Sequence, residues 1–408
     1  GSYVVLSASE ITGTPTFSAN QTDLPFLFKG AVTVDRSAGE IVLDIERKTA
    51  SELGLTSSQA AAYSAILAAA PADSYVEASL LEIEDQSTLA TQFNGLLPDH
   101  AGGTFDLLTR GSRLATRHLT NNNTMFDISD FGGWFEVLKW HGSKDETGTA
   151  GYSNNGWGLS GGWERKTGIG NLGLSFAWLS GTNENAASNA SVKANAYEFG
   201  AFWRRSSGPL YTFARIGFTL AGFEGSRTFT GTVSDTDFTR TSTADWNGQL
   251  YSGTVGISYQ IEMGERVSFK PMAVFDYYRL HESGYTESGG GDAVDLTVAA
   301  RTSDAAYATT TLTGIYRFGT RSADGIPLTI ELEGGRRNRI GGALGNTVAH
   351  FTDGADFTLT PDALKGNWLA EARLLSGGLD YTWTVSASAE QTQGSPAYSA
   401  RVSLGVAF

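Results

Sequence analysis

Twelve alternating segments, connections that swap regularly between short and long, and a basic-striped helix ahead of the first segment predict the fold. It is an all-β membrane protein, a 12-stranded antiparallel outer-membrane β-barrel with an α-helix in its pore. The last stretch, YSARVSLGVAF, shows the pattern best. Tyr398, Ala400, Val402, Leu404, Val406 and Phe408 are apolar, whereas Ser399, Arg401, Ser403, Gly405 and Ala407 are polar, charged or small. Alternation of period two puts the two sets on opposite faces of a strand, each in different surroundings.

Composition narrows the class. Fifty glycines and 11% aromatics against 9 prolines favour many short strands joined by turns. A net charge of -14 excludes a nucleic-acid surface, which needs concentrated Lys and Arg. Without cysteine there is no disulfide framework and no thiolate metal site. The histidines at 100, 118, 141, 281 and 350 lack ligand spacing, so neither metal nor cofactor is expected. The Asp-rich pieces SDTDF (234–238) and HFTDGADF (350–357) read as solvated loop rather than Ca²⁺ sites.

No apolar run approaches the ~18 residues of a membrane-crossing helix. A closed barrel also crosses a bilayer, and because only alternate residues touch lipid it escapes hydropathy detection. The chain opens GSYVVL with no signal peptide, as a mature or trimmed fragment would.

The alternating segments fall near 131–142, 152–166, 171–182, 193–205, 210–223 and 248–261. They continue near 266–281, 305–319, 327–340, 367–379, 384–393 and 398–408, an even number that returns both barrel ends to one side. Short connections TGIG (167–170), SSGP (206–209), MGER (263–266) and YTWT (381–384) take turns with long loops at 224–247, 282–304 and 341–366. A soluble β-sandwich, the alternative reading, has no reason for such regularity.

The faces also differ in kind. One set carries Leu172, Leu174, Phe176 and Trp178; Tyr197, Phe199, Ala201 and Trp203; Tyr251, Val255, Ile257 and Tyr259; and Leu328, Ile330 and Leu332. Aromatics sit at the ends of these sets, as interfacial girdles require. The opposite set carries Glu164, Glu198, Arg204, Glu331, Glu333, Glu371 and Arg373 in mid-strand, which demands a polar lumen.

Upstream the pattern changes. YVVLSASEITGTPTF, FKGAVTVD and GEIVLDIER in residues 1–50 read as short β-solenoid-like strands. Residues 51–103 switch to helical spacing, punctuated by Pro71, Pro98 and Gly102–Gly103. In 104–130 a helix begins with Thr104 as its expected N-cap and Asp106 in its first turn, and a polar linker follows. Arg110, Arg113 and Arg117 share one face; Phe105, Leu108, Ala115 and Leu119 share the other. Such a helix is ~22 Å long, close to the ~25 Å apolar band of a barrel. Its basic stripe suits a lumen lined by Glu164, Glu198, Glu331 and Glu371, and the alternative is a solvated amphipathic helix packed under the barrel.

This succession of strand-rich start, the helical stretch SLLEIEDQSTLATQFNGLLPDHAGGTFDLLTRGSRLATRHL, polar linker, first strand GGWFEVL and aromatic end resembles the monomeric autotransporters of type V secretion in Gram-negative bacteria. The resemblance covers the whole chain and implies a translocator barrel at 131–408 that exports and anchors its own passenger, whose end is cell-surface exposed. It implies outer-membrane lipid, periplasmic chaperones and the barrel-assembly machinery as partners. Tyr398, Val402, Leu404, Val406 and Phe408 would form the assembly signal, and Thr104–Asn123 the pore segment. Some members cut themselves at a pore Asn. Around Asn121, Asn122 and Asn123 the residues do not match that pattern and the spacing to Trp134 is short, so no cleavage is expected. The rival functions are a porin or adhesin barrel, which needs an open lumen, and a barrel-embedded hydrolase. The hydrolase would rest on His141, or on His281 with Glu282, without any G-x-S-x-G motif.

Overall fold

The computed structural model describes residues 1–13, 24–120, 130–185, 187–319, 325–378, 380–392 and 394–408. At the N-terminal end, β1 (Ser2–Ser7), β2 (Phe28–Asp35) and β3 (Glu40–Arg47) form a sheet of order β1-β3-β2. Both pairings are antiparallel. Solenoid rungs stack in parallel, so the expected β-solenoid-like strands are corrected to an antiparallel sheet. The reversal is made at the β2–β3 turn. There the Asp35 carboxylate accepts the N–H groups of Ser37 at 2.9 Å and Ala38 at 3.0 Å, and Gly39 takes φ +66°.

Three short helices follow: α1 (Ser57–Ala69), α2 (Ser74–Leu81) and α3 (Gln86–Gly95). Thr56 and Gln59 make a capping box on α1, and Asp73 and Asp85 cap α2 and α3. A fourth helix, α4 (Gly103–Thr116), precedes the barrel.

The barrel starts with β4 (Phe131–Lys144), β5 (Tyr152–Thr167), β6 (Gly170–Asn185), β7 (Ala190–Ser207), β8 (Leu210–Val233) and β9 (Thr236–Tyr259). The two-residue β10 (Ile261–Glu262) folds onto β11 (Val267–Glu282). Between β11 and β14 (Arg301–Arg317) lie β12 (Tyr285–Thr286) and β13 (Leu296–Val298). After β15 (Ile326–Gly341), β16 (Thr347–Phe351) and β17 (Phe357–Leu359) join β12 and β13 in a small separate sheet. Then β18 (Asn367–Gly377), β19 (Tyr381–Thr392) and β20 (Ser395–Ala407) complete the wall. Twelve long strands, each pairing with its neighbours, form the closed cylinder.

Closure follows from the solvent: a strand edge inside a bilayer would leave N–H and C=O groups with no partner. β20 pairs with β4 from Tyr398↔His141 to Ala407↔Gly132. The Phe408 N–H donates to the Phe131 carbonyl at 3.0 Å, and the two rings lie 6.1 Å apart. Inside the seam, Arg401 donates to Glu136 at 2.8 Å. The apolar sets point outward as expected, with Leu332 61%, Phe199 53% and Val402 53% exposed. Their opposites Glu164, Glu198, Arg204, Glu331, Glu333, Glu371 and Arg373 are all buried.

Two connections differ from expectation. The long loop at 224–247 is instead a continuation of β8 and β9, each 24 residues long, to a two-residue tip at Ser234 and Asp235. Both tip residues have positive φ (49° and 62°), the conformation of a tight hairpin turn. A strand of that length spans about 80 Å, far beyond the apolar band, so outside the bilayer its outward residues, Glu224 and Thr230 among them, are polar and exposed, while Phe223, Arg227 and Phe229 on the opposite face are buried. The other difference is YTWT (381–384), which opens β19 rather than forming a turn. Tyr381 and Trp383 are outward aromatics of the strand end, a role that resembles turn composition only in the absence of register.

Arg401→Ala strands the Glu136 carboxylate, which is 1% exposed, and is expected to cost about 3 kcal/mol. The check is the temperature at which the compact, heat-modifiable form converts to the unfolded one in detergent gels. Replacing both partners by Met and Leu should recover most of that loss.

Candidate functional site

The pore contents begin at the rim of the long loops. Gly102 precedes α4 with φ +84°, a left-handed turn that aims the helix down the barrel axis. Thr104 is not the N-cap; it lies inside the first turn, and its hydroxyl donates to Glu282 of β11 at 3.2 Å. Arg301 of β14 ties this entrance together. It donates to the Glu282 carboxylate at 2.8 Å, to the Asp99 carboxylate at 2.8 Å and to the Asp99 carbonyl at 2.7 Å.

Down the lumen, the apolar face of α4 meets the N-terminal strands. Phe105, Leu107, Leu108, Leu114 and Ala115 pack with Leu138, Trp140, Ala177, Leu179 and Ala194. Gly111 permits this approach, since a Cβ there would stand 3.0 Å from the Trp140 ring and 3.1 Å from Leu179. The helix ends in a tighter turn, Arg117–Thr120. Two side chains of the wall catch its last carbonyls: the Tyr211 hydroxyl donates to Leu119 at 2.6 Å and the Lys270 ammonium to Thr120 at 3.2 Å. That satisfies orphan acceptors and places a cation at the negative end of the helix.

The basic face meets the C-terminal strands. Arg110 pairs with Asp106 one turn earlier at 3.1 Å and with Glu390 of β19. Arg113 donates to the other Glu390 oxygen at 2.5 Å. Arg117 pairs with Glu371 of β18 and lies 3.6 Å from Glu333 of β15. The helix in the pore is therefore as expected, but its acidic partners are largely different. Of Glu164, Glu198, Glu331 and Glu371, the helix ion-pairs with Glu371. Glu164 instead binds Arg204 at 2.7 Å, Glu198 binds Arg215 at 2.5 Å and Glu331 binds Arg373 at 2.9 Å, all within the wall. Mid-strand acids one or two strands from a mid-strand Arg find that nearer cation first. Glu390, the main partner, was legible by parity: Ser386, Ser388 and Glu390 continue the inward set of β19.

The residues proposed for a rim hydrolase do not converge. His141 and His281 face outward, their Nδ1 atoms 2.9 Å from the Asn155 side-chain oxygen and 3.1 Å from the Thr302 hydroxyl. Glu282 points inward to Thr104 and Arg301. Asn121, Asn122 and Asn123 lie outside the described residues.

A latch closes the loop rim beside the entrance. Asp362 accepts hydrogen bonds from the Thr147 and Thr149 hydroxyls and an ion pair from Lys144 at 2.9 Å. In the same loop the Gly148 carbonyl accepts from Ser57 of α1 at 2.6 Å. Partial burial opposes the charge on Asp362, but Thr147, Thr149 and Lys144 outweigh it and hold the carboxyl down at about 2. A depressed carboxyl contributes stability above its ordinary value of 3.8 that is lost as pH falls through about 2. Hydrogen exchange in the 145–151 loop should therefore quicken between those two values, and an Asp362→Asn variant should show no such step.

Glu390→Ala removes the acid shared by Arg110 and Arg113 and is expected to weaken helix docking by about 3 kcal/mol. Single-channel recording should then show frequent openings, whereas Glu164→Ala, whose partner Arg204 belongs to the wall, should keep the channel at its closed level.

The barrel matches the family model described as Autotransporter beta-domain over residues 133–390. Among solved structures it is similar to the translocator domain of the autotransporter NalP from Neisseria meningitidis, at 15% identity and a TM-score of 0.58. That match covers 75% of this chain and 97% of the other, and it shows a shared fold. Similarity extends to the β domain of the Bordetella autotransporter BrkA, with TM-score 0.47, 13% identity and coverage of 68% and 100%. The transport unit of the autotransporter AIDA-I from Escherichia coli gives TM-score 0.46, 14% identity and coverage of 73% and 98%. No curated protein sequence matches the chain. With the family model spanning well over half of its residues, the chain belongs to the autotransporter β-domain family.

Proposed function

We propose that this chain is held in the state that follows export, with residues 1–103 on the cell surface and α4 left behind as the plug of the pore. Family membership makes the barrel an outer-membrane translocator for a passenger. The direction of α4 carries the rest. Its first turn is bonded at the long-loop rim, through Glu282 and Arg301, and its last carbonyls near the short-turn rim, through Tyr211 and Lys270. Long loops face outward in outer-membrane barrels and short turns face the periplasm. A chain read from α4 towards its N-terminus thus leaves the pore at the outer face, which supports a surface-anchored passenger end.

In that orientation β20 runs from Tyr398, paired with His141 towards the long-loop rim, to Phe408 at the short-turn rim, with Tyr398, Val402, Leu404, Val406 and Phe408 facing outward along it. That apolar stripe, alternating with inward Arg401 and Ser403, supports its use as the signal bound by the barrel-assembly machinery, after escort by periplasmic chaperones. The finished barrel then holds the stripe against outer-membrane lipid. The role is transport rather than catalysis.

Deleting 104–123 should convert a nearly closed channel into one of several-fold higher single-channel conductance in a planar bilayer. An unchanged conductance would remove α4 as the plug.

A further inference from the structure

Above the loop rim, one hydrophobic core is shared between two parts of the chain that are distant in sequence. Ile66, Val76, Leu80, Leu89 and Phe93 of α1–α3 are each 0–1% exposed. They pack with Phe229 of the β8 extension, Leu296 and Val298 of β13, and Phe351, Phe357 and Leu359 of the β16–β17 hairpin. The helices are 13, 8 and 10 residues long, so none is stable alone in water, and a segment of this size without disulfides has too little apolar surface of its own. Among the described residues, nine of the 21 buried in this core belong to the barrel's strands and loops.

Arg227 of β8 joins the same parts by polar bonds. Its side chain is 3–4% exposed and pairs with Glu287 of the β12–β13 loop. It also donates to the Gly95 carbonyl at the end of α3 at 2.7 Å and to the Val294 carbonyl at 2.7 Å. One guanidinium thus holds the hairpin, the loop and the terminal carbonyl of a helix that precedes the pore. A second contact, Arg240 of β9 to Asp73 at 2.7 Å, ties the N-cap of α2 to the same hairpin.

We propose that the long hairpin and loops of the barrel are a docking platform on which α1–α3 fold, giving the chain a second, non-covalent anchor independent of the pore helix. The docking stands without the export reading; that it retains an exported chain rests on that reading. It also gives a use to the extension of β8 and β9 beyond the membrane, which barrel closure does not require.

The experiment is hydrogen exchange with mass spectrometry on the full chain in detergent micelles, comparing the parent with Phe229→Ala and Glu287→Ala. Amides of 57–97 should lose protection by about 100-fold or more, the scale of a large core truncation, while those of α4 keep theirs. Unchanged protection in 57–97 would show that the helices need no platform. Parallel loss in α4 would show a single anchor instead of two. Phe229 belongs to a barrel strand and Glu287 to a loop outside the wall, so if the first variant fails to give the heat-modifiable barrel, the second decides alone. Conductance of the α4 deletion, which tests the translocator plug, does not enter this outcome.

Discussion

The structure depends on one electrostatic constraint: ionised side chains sealed inside a cylinder must find opposite charge there, because lipid surrounds the wall. The wall facing the polar side of α4 carries Glu331, Glu333, Glu371, Glu390 and Asp276 against Lys270, Arg337 and Arg373. Among these acids, Glu390 pairs with Arg110 and Arg113 of α4, and Glu371 and Glu333 divide their contacts between Arg373 of the wall and Arg117 of α4. α4 brings Arg110, Arg113 and Arg117 with Asp106, a surplus of two positive charges. The helix therefore completes the charge of the lumen as well as its volume. Removing it would leave the remaining acids to be compensated by water and ions entering the pore.

The helix also bridges the two ends of the sheet from within. Its apolar face rests on β4–β7, and its guanidinium groups hold β15, β18 and β19. The β20–β4 seam lies between those walls. Buried ion pairs are a weak source of net stability compared with apolar packing, but they penalise any register in which one partner is left alone. Here the stripe at one-turn spacing matches acids on successive strands, which sets both the depth and the rotation of the plug. Above it, the shared core of loops and helices adds apolar burial, which carries no such requirement for pairing.

Much of this was legible in the sequence where lipid enforces it. Residues such as Leu172, Phe199 and Leu332 face acyl chains and their neighbours face the lumen, so the alternation is sharp and the strand count follows. Outside the bilayer the enforcement ends. The outer halves of β8 and β9, rich in Thr, Ser and Asp, read as loop because their outward face is polar and their buried face mixes Phe223 and Phe229 with Arg227 and Ser242, and the I′-type tip at Ser234–Asp235 carried no Gly to mark it. The pairing of charges failed for a different reason. Parity tells that Glu164, Glu198 and Glu331 point inward, but the choice between α4 and Arg204, Arg215 or Arg373 depends on which cation lies within a strand or two, and that requires register. Thr104 was misplaced as a cap because Gly102 takes the left-handed turn that starts the helix.

The most direct measurement is a double-mutant cycle between Arg117 on the helix and Glu371 on the wall, using Arg117→Met, Glu371→Leu and both together, followed by urea unfolding of the barrel in micelles. If charge completion holds the plug, the two losses should couple by about 1.5 kcal/mol or more, the double variant being far less damaged than the sum of the singles. Losses that add to within about 0.5 kcal/mol would contradict the account, since the helix would then fill the pore without neutralising it.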